Sequence, residues 1–280
     1  MKLTEKLKEV QNNKIALLAA NFYNLETCQA IARAAAETGA PVILQLTPAS
    51  IEYMGLKTAF GIARTISAEE NIQSWVHLDH CSDIMLIQRC LDEGFDSVMI
   101  DESDKDIDEN IALTRKVVKM SEPYLVNVEA ELGDVPKPGR DINRNQFTEP
   151  AEAKRFVEET GVTSLAVAVG SKHGFYSGKP ELDILRIAEI KKITHALLVL
   201  HGASGIPDEQ LQEAVGAGIS KINVATETKN LFMRSLKELL LKSDDIDLRN
   251  VFPQASEAVV AMIKNKMEIL SSTHKSSVSL

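Results

Sequence analysis

The stretch Trp75-Val-His-Leu-Asp-His-Cys81 decides how this chain reads. It begins as an apolar strand and ends in three groups able to do chemistry, His77, Asp79 and His80. Successive strand side chains point to opposite faces, so His77 and Asp79 share one, while His80, at the strand's end, can turn differently. A metal would accept His80 as a neutral imidazole, and Asp79 beside it could move a proton.

Working outward, the same kind of segment recurs. Residues 15–21, 41–47, 97–101, 124–131, 164–169, 196–201 and 220–226 are further apolar runs, of the length and composition that suit strands buried on both faces. Between them, residues 28–38, 56–67, 84–91, 108–120, 151–160, 182–193 and 207–217 carry helical apolar spacing, several of them closed by a glycine. Residues 1–10 read as an amphipathic helix, residues 229–241 and 255–270 as C-terminal helices, and a loose polar tail follows from about 271. A loop at 134–149 is rich in Pro, Gly, Asn and charge.

Eight strand–helix units without a break in composition predict one α/β domain over residues 1–280, a (β/α)8 TIM barrel. An open doubly wound sheet is the alternative. The barrel is favoured by His80, Asp101, Glu131, His173, His201 and Asn223, which all fall at or near the C-terminal end of a strand. A barrel gathers those ends at one mouth, where barrel active sites lie; an open sheet spreads them along an edge.

Composition bounds the partners. Of 280 residues, 44% are hydrophobic and 25% charged, which suits a soluble globular protein with a full core. A net charge of -9 argues against nucleic acid or an anionic membrane as the main partner, though not against a local positive pocket. Cys28, Cys81 and Cys90 are odd in number and have no paired spacing, which excludes a disulfide framework and points to the reducing cytoplasm. Cys81 reads as a packing residue. The first ten residues are too polar for a signal peptide, and no apolar run approaches the ~20 residues of a membrane span.

Three histidines, His80, His173 and His201, thus come from three strand ends. Three imidazoles and an open position are what a catalytic zinc-type site needs. His77 reads as an orienting residue behind them, His195 as surface and His274 as tail. The turns after strands six to eight bring Gly174, Gly202, Ala203, Ser204, Asn223 and Thr226. Such turns offer backbone N–H groups and hydroxyls to a phosphate, at a position where barrels commonly bind one. Metal plus phosphate suggests a small phosphorylated carbonyl substrate. The metal would polarise the carbonyl and stabilise enediolate charge, while Asp79 handles a hydroxyl proton.

These residues resemble the class II, metal-dependent ketose-bisphosphate aldolases from about residue 16 to 266. The resemblance rests on Val76-His-Leu-Asp-His-Cys81, Ser97-Val-Met-Ile-Asp101, Val128-Glu-Ala-Glu-Leu-Gly133, Gly170-Ser-Lys-His-Gly-Phe-Tyr176, Leu200-His-Gly-Ala-Ser-Gly205 and Lys221-Ile-Asn-Val-Ala-Thr-Glu227. Ala225, where fructose-bisphosphate enzymes usually carry aspartate, makes the tagatose-bisphosphate branch the nearer likeness. The resemblance implies one Zn2+ per subunit on His80, His173 and His201, with Asp101 and Glu131 as carboxylates of an alternate or second metal position. It implies Asp79 as acid/base at the cleaved bond. Gly174, Gly202, Ser204, Asn223 and Thr226 would contact the dihydroxyacetone phosphate half. Asn21 would lie toward the other phosphate, and Lys229 would reach a neighbouring subunit's site in a homodimer or homotetramer.

The sequence departs from the family at one loop. The family's Gly-Gly-x-Glu-Asp, whose glutamate exchanges the substrate proton, becomes Gly133-Asp-Val-Pro-Lys-Pro-Gly139-Arg-Asp141. Gly139 stands at the glutamate's place, and Asp134 and Asp141 are the candidates to replace it. Glu102 replaces a usual glycine. The alternatives to a bisphosphate aldolase are the same chemistry on another phosphorylated ketose or keto acid, and a non-catalytic barrel subunit.

Overall fold

The eight apolar runs pair in chain order, all parallel, and the eighth closes on the first. The strands are β1 (Leu17–Asn21), β2 (Val42–Leu46), β3 (Ser74–Cys81), β4 (Ser97–Ile100), β5 (Asn127–Leu132), β6 (Ser164–Val167), β7 (Leu197–Leu200) and β8 (Ile219–Val224). Around them run α1 (Leu3–Asn12), α2 (Leu25–Thr38), α3 (Pro48–Met54), α4 (Leu56–Glu69), α5 (Ile84–Glu93), α6 (Ile107–Ser121), α7 (Pro150–Thr160), α8 (Ile184–Ile193), α9 (Asp208–Ala217), α10 (Thr226–Lys242) and α11 (Leu248–Ser271). This computed structural model describes residues 1–176 and 178–272. The expected tail, with His274, falls mostly outside them. The architecture is the (β/α)8 barrel expected from the alternation of runs.

The period of two along each strand divides the barrel into two cores. Even-numbered residues such as Leu18, Leu44, Val76, Leu78, Val98, Val128, Leu198 and Ile222 pack with the surrounding helices in one large apolar cluster. Odd-numbered Leu17, Ala19, Ile43, Trp75 and Leu197 form a second, smaller cluster with Leu3, Leu7 and Val10. Thus α1 plugs the N-terminal end of the barrel, and the Trp75 indole donates to the Met1 carbonyl at 3.2 Å. Above that plug the odd positions turn polar: His77, Asp79, Glu129, Glu131, His201, Lys221 and Asn223 are all buried. The chain spends interior positions on polar groups only at the end where barrels do chemistry.

Three elements differ from expectation. The seven-residue α3 escapes the periodicity reading because it is too short to show a stripe; Pro48 starts it and the Thr47 hydroxyl caps it by accepting from the Ser50 N–H. Strand β8 stops at Val224, and Thr226 opens α10, where the Glu227 N–H donates to the Ser204 hydroxyl at 3.4 Å. Helix α11 starts at Leu248, earlier than the expected 255, because the Asp247 carboxylate caps it ahead of the internal Pro253. Cys28, Cys81 and Cys90 are buried free thiols, and burial pushes the Cys81 thiol up to about 11, which suits packing. Among the described residues no helix is long and apolar enough to cross a membrane.

Candidate metal centre and substrate cavity

His80 is even-numbered, so strand alternation alone would send it outward. It adopts a left-handed backbone (φ 48°), at a register break between Leu78 and Cys81 where β3 meets β4. A non-glycine residue held there stores strain that functional sites tend to carry. The bend brings the His80 ring against His201 and His173, with centroids 4.5 and 4.8 Å away. His201 follows β7 directly. His173 lies in the loop after β6, where its N–H donates to the Pro136 carbonyl at 2.8 Å. One ligand nitrogen from each of the three rings lies within 4.8 Å of the other two.

The carboxylates behind the rings decide which nitrogens face inward. Asp101 Oδ2 takes His80 Nδ1 at 2.7 Å, leaving Nε2 buried without a hydrogen-bond partner. Glu129 takes His201 Nε2 at 3.0 Å, leaving Nδ1 to face Glu131 Oε2 at 2.9 Å. Buried polar atoms are nearly always satisfied, so the orphaned His80 Nε2, with a ligand nitrogen of His173 and of His201 within 4.8 Å, fits a divalent ion of the zinc type. Asp101 and Glu131 also form a second cluster with His80 and share the Ser103 hydroxyl, at 2.8 and 3.1 Å. Both carboxylates therefore stand as outer partners of the histidines as well as in a second ligand set.

Protonation follows the surroundings. Burial, with His80 and His201 beside it, drives His173 down to about 3, so this ring is neutral. Burial opposes charge on His201 too, but Glu129 and Glu131 outweigh it and push its pKa up to about 10. A metal must displace that proton. Metal uptake should therefore release protons, and affinity should rise with pH until about 10. Titration calorimetry in two buffers of different ionisation enthalpy counts the protons; a pH-independent affinity with no release would contradict this.

Asp79 is held by two amides. Asn21 Nδ2, from β1, donates to its Oδ2 at 2.8 Å, and Asn223 Nδ2, from β8, to its Oδ1 at 3.2 Å. Gln45 in turn donates to the Asn21 carbonyl oxygen at 2.9 Å. Burial opposes its charge, but His80, His201, His77 and Lys221 outweigh it and hold the carboxyl below the usual range. The group is thus an aimed, ionised carboxylate, 3.9 Å from His80 Nε2.

A cavity of about 430 Å³ opens beside these groups, lined by Asn21, Asp79, His80, His173, Gly174, Gly202, Ser204, Asn223, Thr226 and Lys229. The sequence-predicted contacts thus share one space. Gly202 (φ 65°) must lack a side chain, since a Cβ there would overlap the Lys172 backbone. Lys229 lines its own chain's cavity, its ammonium 5.7 Å from the Tyr23 ring centroid. A second cavity, about 660 Å³, lies across the histidines and takes in Asp101, Glu102, Glu131, Asp134 and Arg140. Asp134, paired with Arg140 at 2.7 Å, borders it; Asp141 lines a different cleft. Glu102 is buried there, 3.9 Å from Lys105. His195 is exposed, as expected.

Sequence reading missed Glu129 and Lys221, and it read His77 as an orienting residue behind the three histidines. These three form a fully enclosed group beneath the histidines: Lys221 Nζ lies 2.8 and 3.0 Å from the Glu129 oxygens and 3.3 Å from His77 Nε2. The available signal was parity. Each stands two residues before a residue of the site, Glu131, Asn223 and Asp79, and so shares its face.

Known proteins carry the same frame. The chain's fold matches the X-ray structure of the YdjI aldolase from Escherichia coli K12 at TM-score 0.87 and 29% identity, covering 98% of both chains. It matches a protein from Coccidioides immitis, proposed to be a fructose-1,6-bisphosphate aldolase, at TM-score 0.88 and 29% identity, over 98% of this chain and 97% of that one. The fructose-bisphosphate aldolase of Campylobacter jejuni, 20% identical, shares the fold at TM-score 0.80 over 96% of this chain and 93% of that one. The model of the class-II fructose-bisphosphate aldolase family matches residues 1–275. This chain therefore belongs to the class-II fructose-bisphosphate aldolase family and is an aldolase, a carbon–carbon lyase.

Proposed function

We propose that the protein is a zinc-dependent aldolase that reversibly cleaves a ketose 1,6-bisphosphate, tagatose or fructose, to dihydroxyacetone phosphate and glyceraldehyde 3-phosphate. The observation that carries the reading is the placement of Asp79: an ionised carboxylate held by two amides, beside three convergent histidines, at the edge of a glycine- and hydroxyl-lined cavity. His80, His173 and His201 would hold the ion. When bound, it supplies a Lewis acid that draws electron density from the ketose carbonyl. Asp79 takes the C4 hydroxyl proton, C4 becomes the aldehyde carbon, and the C3–C4 bond breaks with its electron pair moving toward C2. A proton then returns to C3. Asp134 is the carboxylate we assign to that delivery in place of the family's loop glutamate, since it borders the cavity beyond the histidines.

The phosphate of the dihydroxyacetone half would rest on Gly174, Gly202, Ser204 and Thr226, with Asn21 and Asn223 serving both Asp79 and the substrate hydroxyls. Ala225 lines the same cavity and supports the tagatose branch. The name of the Coccidioides relative supports fructose 1,6-bisphosphate as the competing substrate. We also propose a homodimer or homotetramer, supported by the exposed Leu240, Leu241, Ile246 and Leu248 around the end of α10.

One observation favours a second substrate. Thr47, Ser50 and Tyr53 line the cavity without a charge among them, and Lys229 is the one lysine or arginine among the described residues that line it. A ketose 1-phosphate, with a neutral far end, fits that lining. A coupled assay of dihydroxyacetone phosphate release from tagatose 1,6-bisphosphate, fructose 1,6-bisphosphate and the two 1-phosphates tests both readings. The bisphosphate reading expects the highest kcat/KM on a bisphosphate; preference for a 1-phosphate transfers the assignment, and release from none of them contradicts both.

A further inference from the structure

We propose that Lys221 is a positioning residue of the metal centre, acting through Glu129 on His201. The proposal rests on the reading of the three histidines as metal ligands. Lys221 and Glu129 are each 0% exposed, on β8 and β5. The Lys221 ammonium donates to both Glu129 oxygens, at 3.0 and 2.8 Å. A carboxylate so far from water is strongly disfavoured without a counter-charge, and among the described residues Lys221 is the one lysine or arginine paired with it.

Hydrogen-bond bookkeeping then fixes the rest. An ammonium has protons and no lone pair. His77 Nε2, 3.3 Å from Nζ, must therefore accept, and the His77 proton sits on Nδ1, donated to the Ser97 hydroxyl at 2.7 Å. That hydroxyl also accepts from Asn127 Nδ2 at 3.0 Å, and Asn127 Oδ1 accepts from Ser164 at 2.9 Å. The lysine thus has a fixed acceptor on each side and little freedom to move.

Glu129, held as a carboxylate, can only accept. So Nε2 of His201, 3.0 Å from it, must carry a proton, and the proton that a metal displaces is the one on Nδ1, whose lone pair then faces the ligand cluster. Metal-bound histidines depend in this way on the partner of their second nitrogen. Remove the ammonium, and Glu129 is a buried charge without compensation. Any rearrangement that relieves it withdraws the acceptor that pins His201. Lys221 therefore sets ligand geometry without touching ligand or substrate.

The test uses the full-length protein stripped of metal, with Co2+ and Zn2+ as probes. Lys221→Met should weaken Co2+ binding, measured by chelator competition, about 10–100-fold and alter the cobalt d–d spectrum. Lys221→Met combined with Glu129→Gln should restore affinity to within about threefold, because the glutamine carbonyl still accepts from Nε2 and needs no counter-charge. Long-range proton–nitrogen spectra of the Zn2+-loaded wild type should place the His201 proton on Nε2. A folded Lys221→Met protein with wild-type affinity, a double variant no better than the single, or a proton on Nδ1 would each overturn the proposal. If Lys221→Met does not fold, the double variant and the tautomer decide. Wild-type protein that binds no metal would instead sink the reading of the histidines, and the proposal with it.

Discussion

Asp79→Ala should lower kcat about a thousandfold or more while leaving the metal bound, since a positioned acid/base typically contributes 10²–10⁴-fold. The carboxylate touches the reacting hydroxyl in the proposed geometry but is not one of the nitrogens that converge on the ion site. It is also a structural acceptor: Asn21 and Asn223 both donate to it from buried positions. Alanine leaves those two amides without their acceptor, at a cost of roughly 1–3 kcal/mol each unless water enters. A modest fall in Tm is therefore part of the expected result. Metal analysis after gel filtration, together with steady-state kinetics, separates the two roles. Loss of metal from Asp79→Ala would make the residue structural.

His201→Ala should do the reverse, losing the metal first and activity as a consequence. A structural zinc site contributes roughly 10–16 kcal/mol over its whole ligand set, so one ligand of three is worth about two to four decades of affinity. The variant also leaves Glu131 Oε2 without its 2.9 Å neighbour while the Glu129–Lys221 pair stays intact beneath it. Chelator competition should report the affinity loss, and dihydroxyacetone phosphate release should fall to background at stoichiometric metal. A His201→Ala protein that keeps one equivalent of zinc would exclude His201 as a ligand.

The two variants fail differently because one residue is proposed to move a substrate proton and the other to hold the ion, and the gathering of both at one mouth was largely legible in the sequence. The eight apolar runs have the length of buried strands, and the positions of His80, Asp101, Glu131, His201 and Asn223 at their ends pointed to one mouth. What escaped depended on local geometry. Nothing in the order of residues says that His80 turns inward through a left-handed backbone at a register break, since that conformation is the product of packing between β3 and β4. Helix α3 was too short for its period to register. Lys221 and Glu129 were hidden for another reason. In an amphipathic strand a lysine reads as solvent-facing, and only closure of the barrel puts both faces of every strand indoors. The departure at Gly139 was visible at once, yet choosing Asp134 over Asp141 needed the cavities.

The most direct test of the account is a titration of metal-stripped protein with Zn2+, following dihydroxyacetone phosphate release from tagatose and fructose 1,6-bisphosphates. Activity should be absent at the start, rise in proportion to added zinc and break at one ion per subunit. Full activity in the stripped protein, or stoichiometric zinc without release from either sugar, would contradict the assignment of His80, His173, His201 and Asp79 as a metal-assisted bisphosphate aldolase centre.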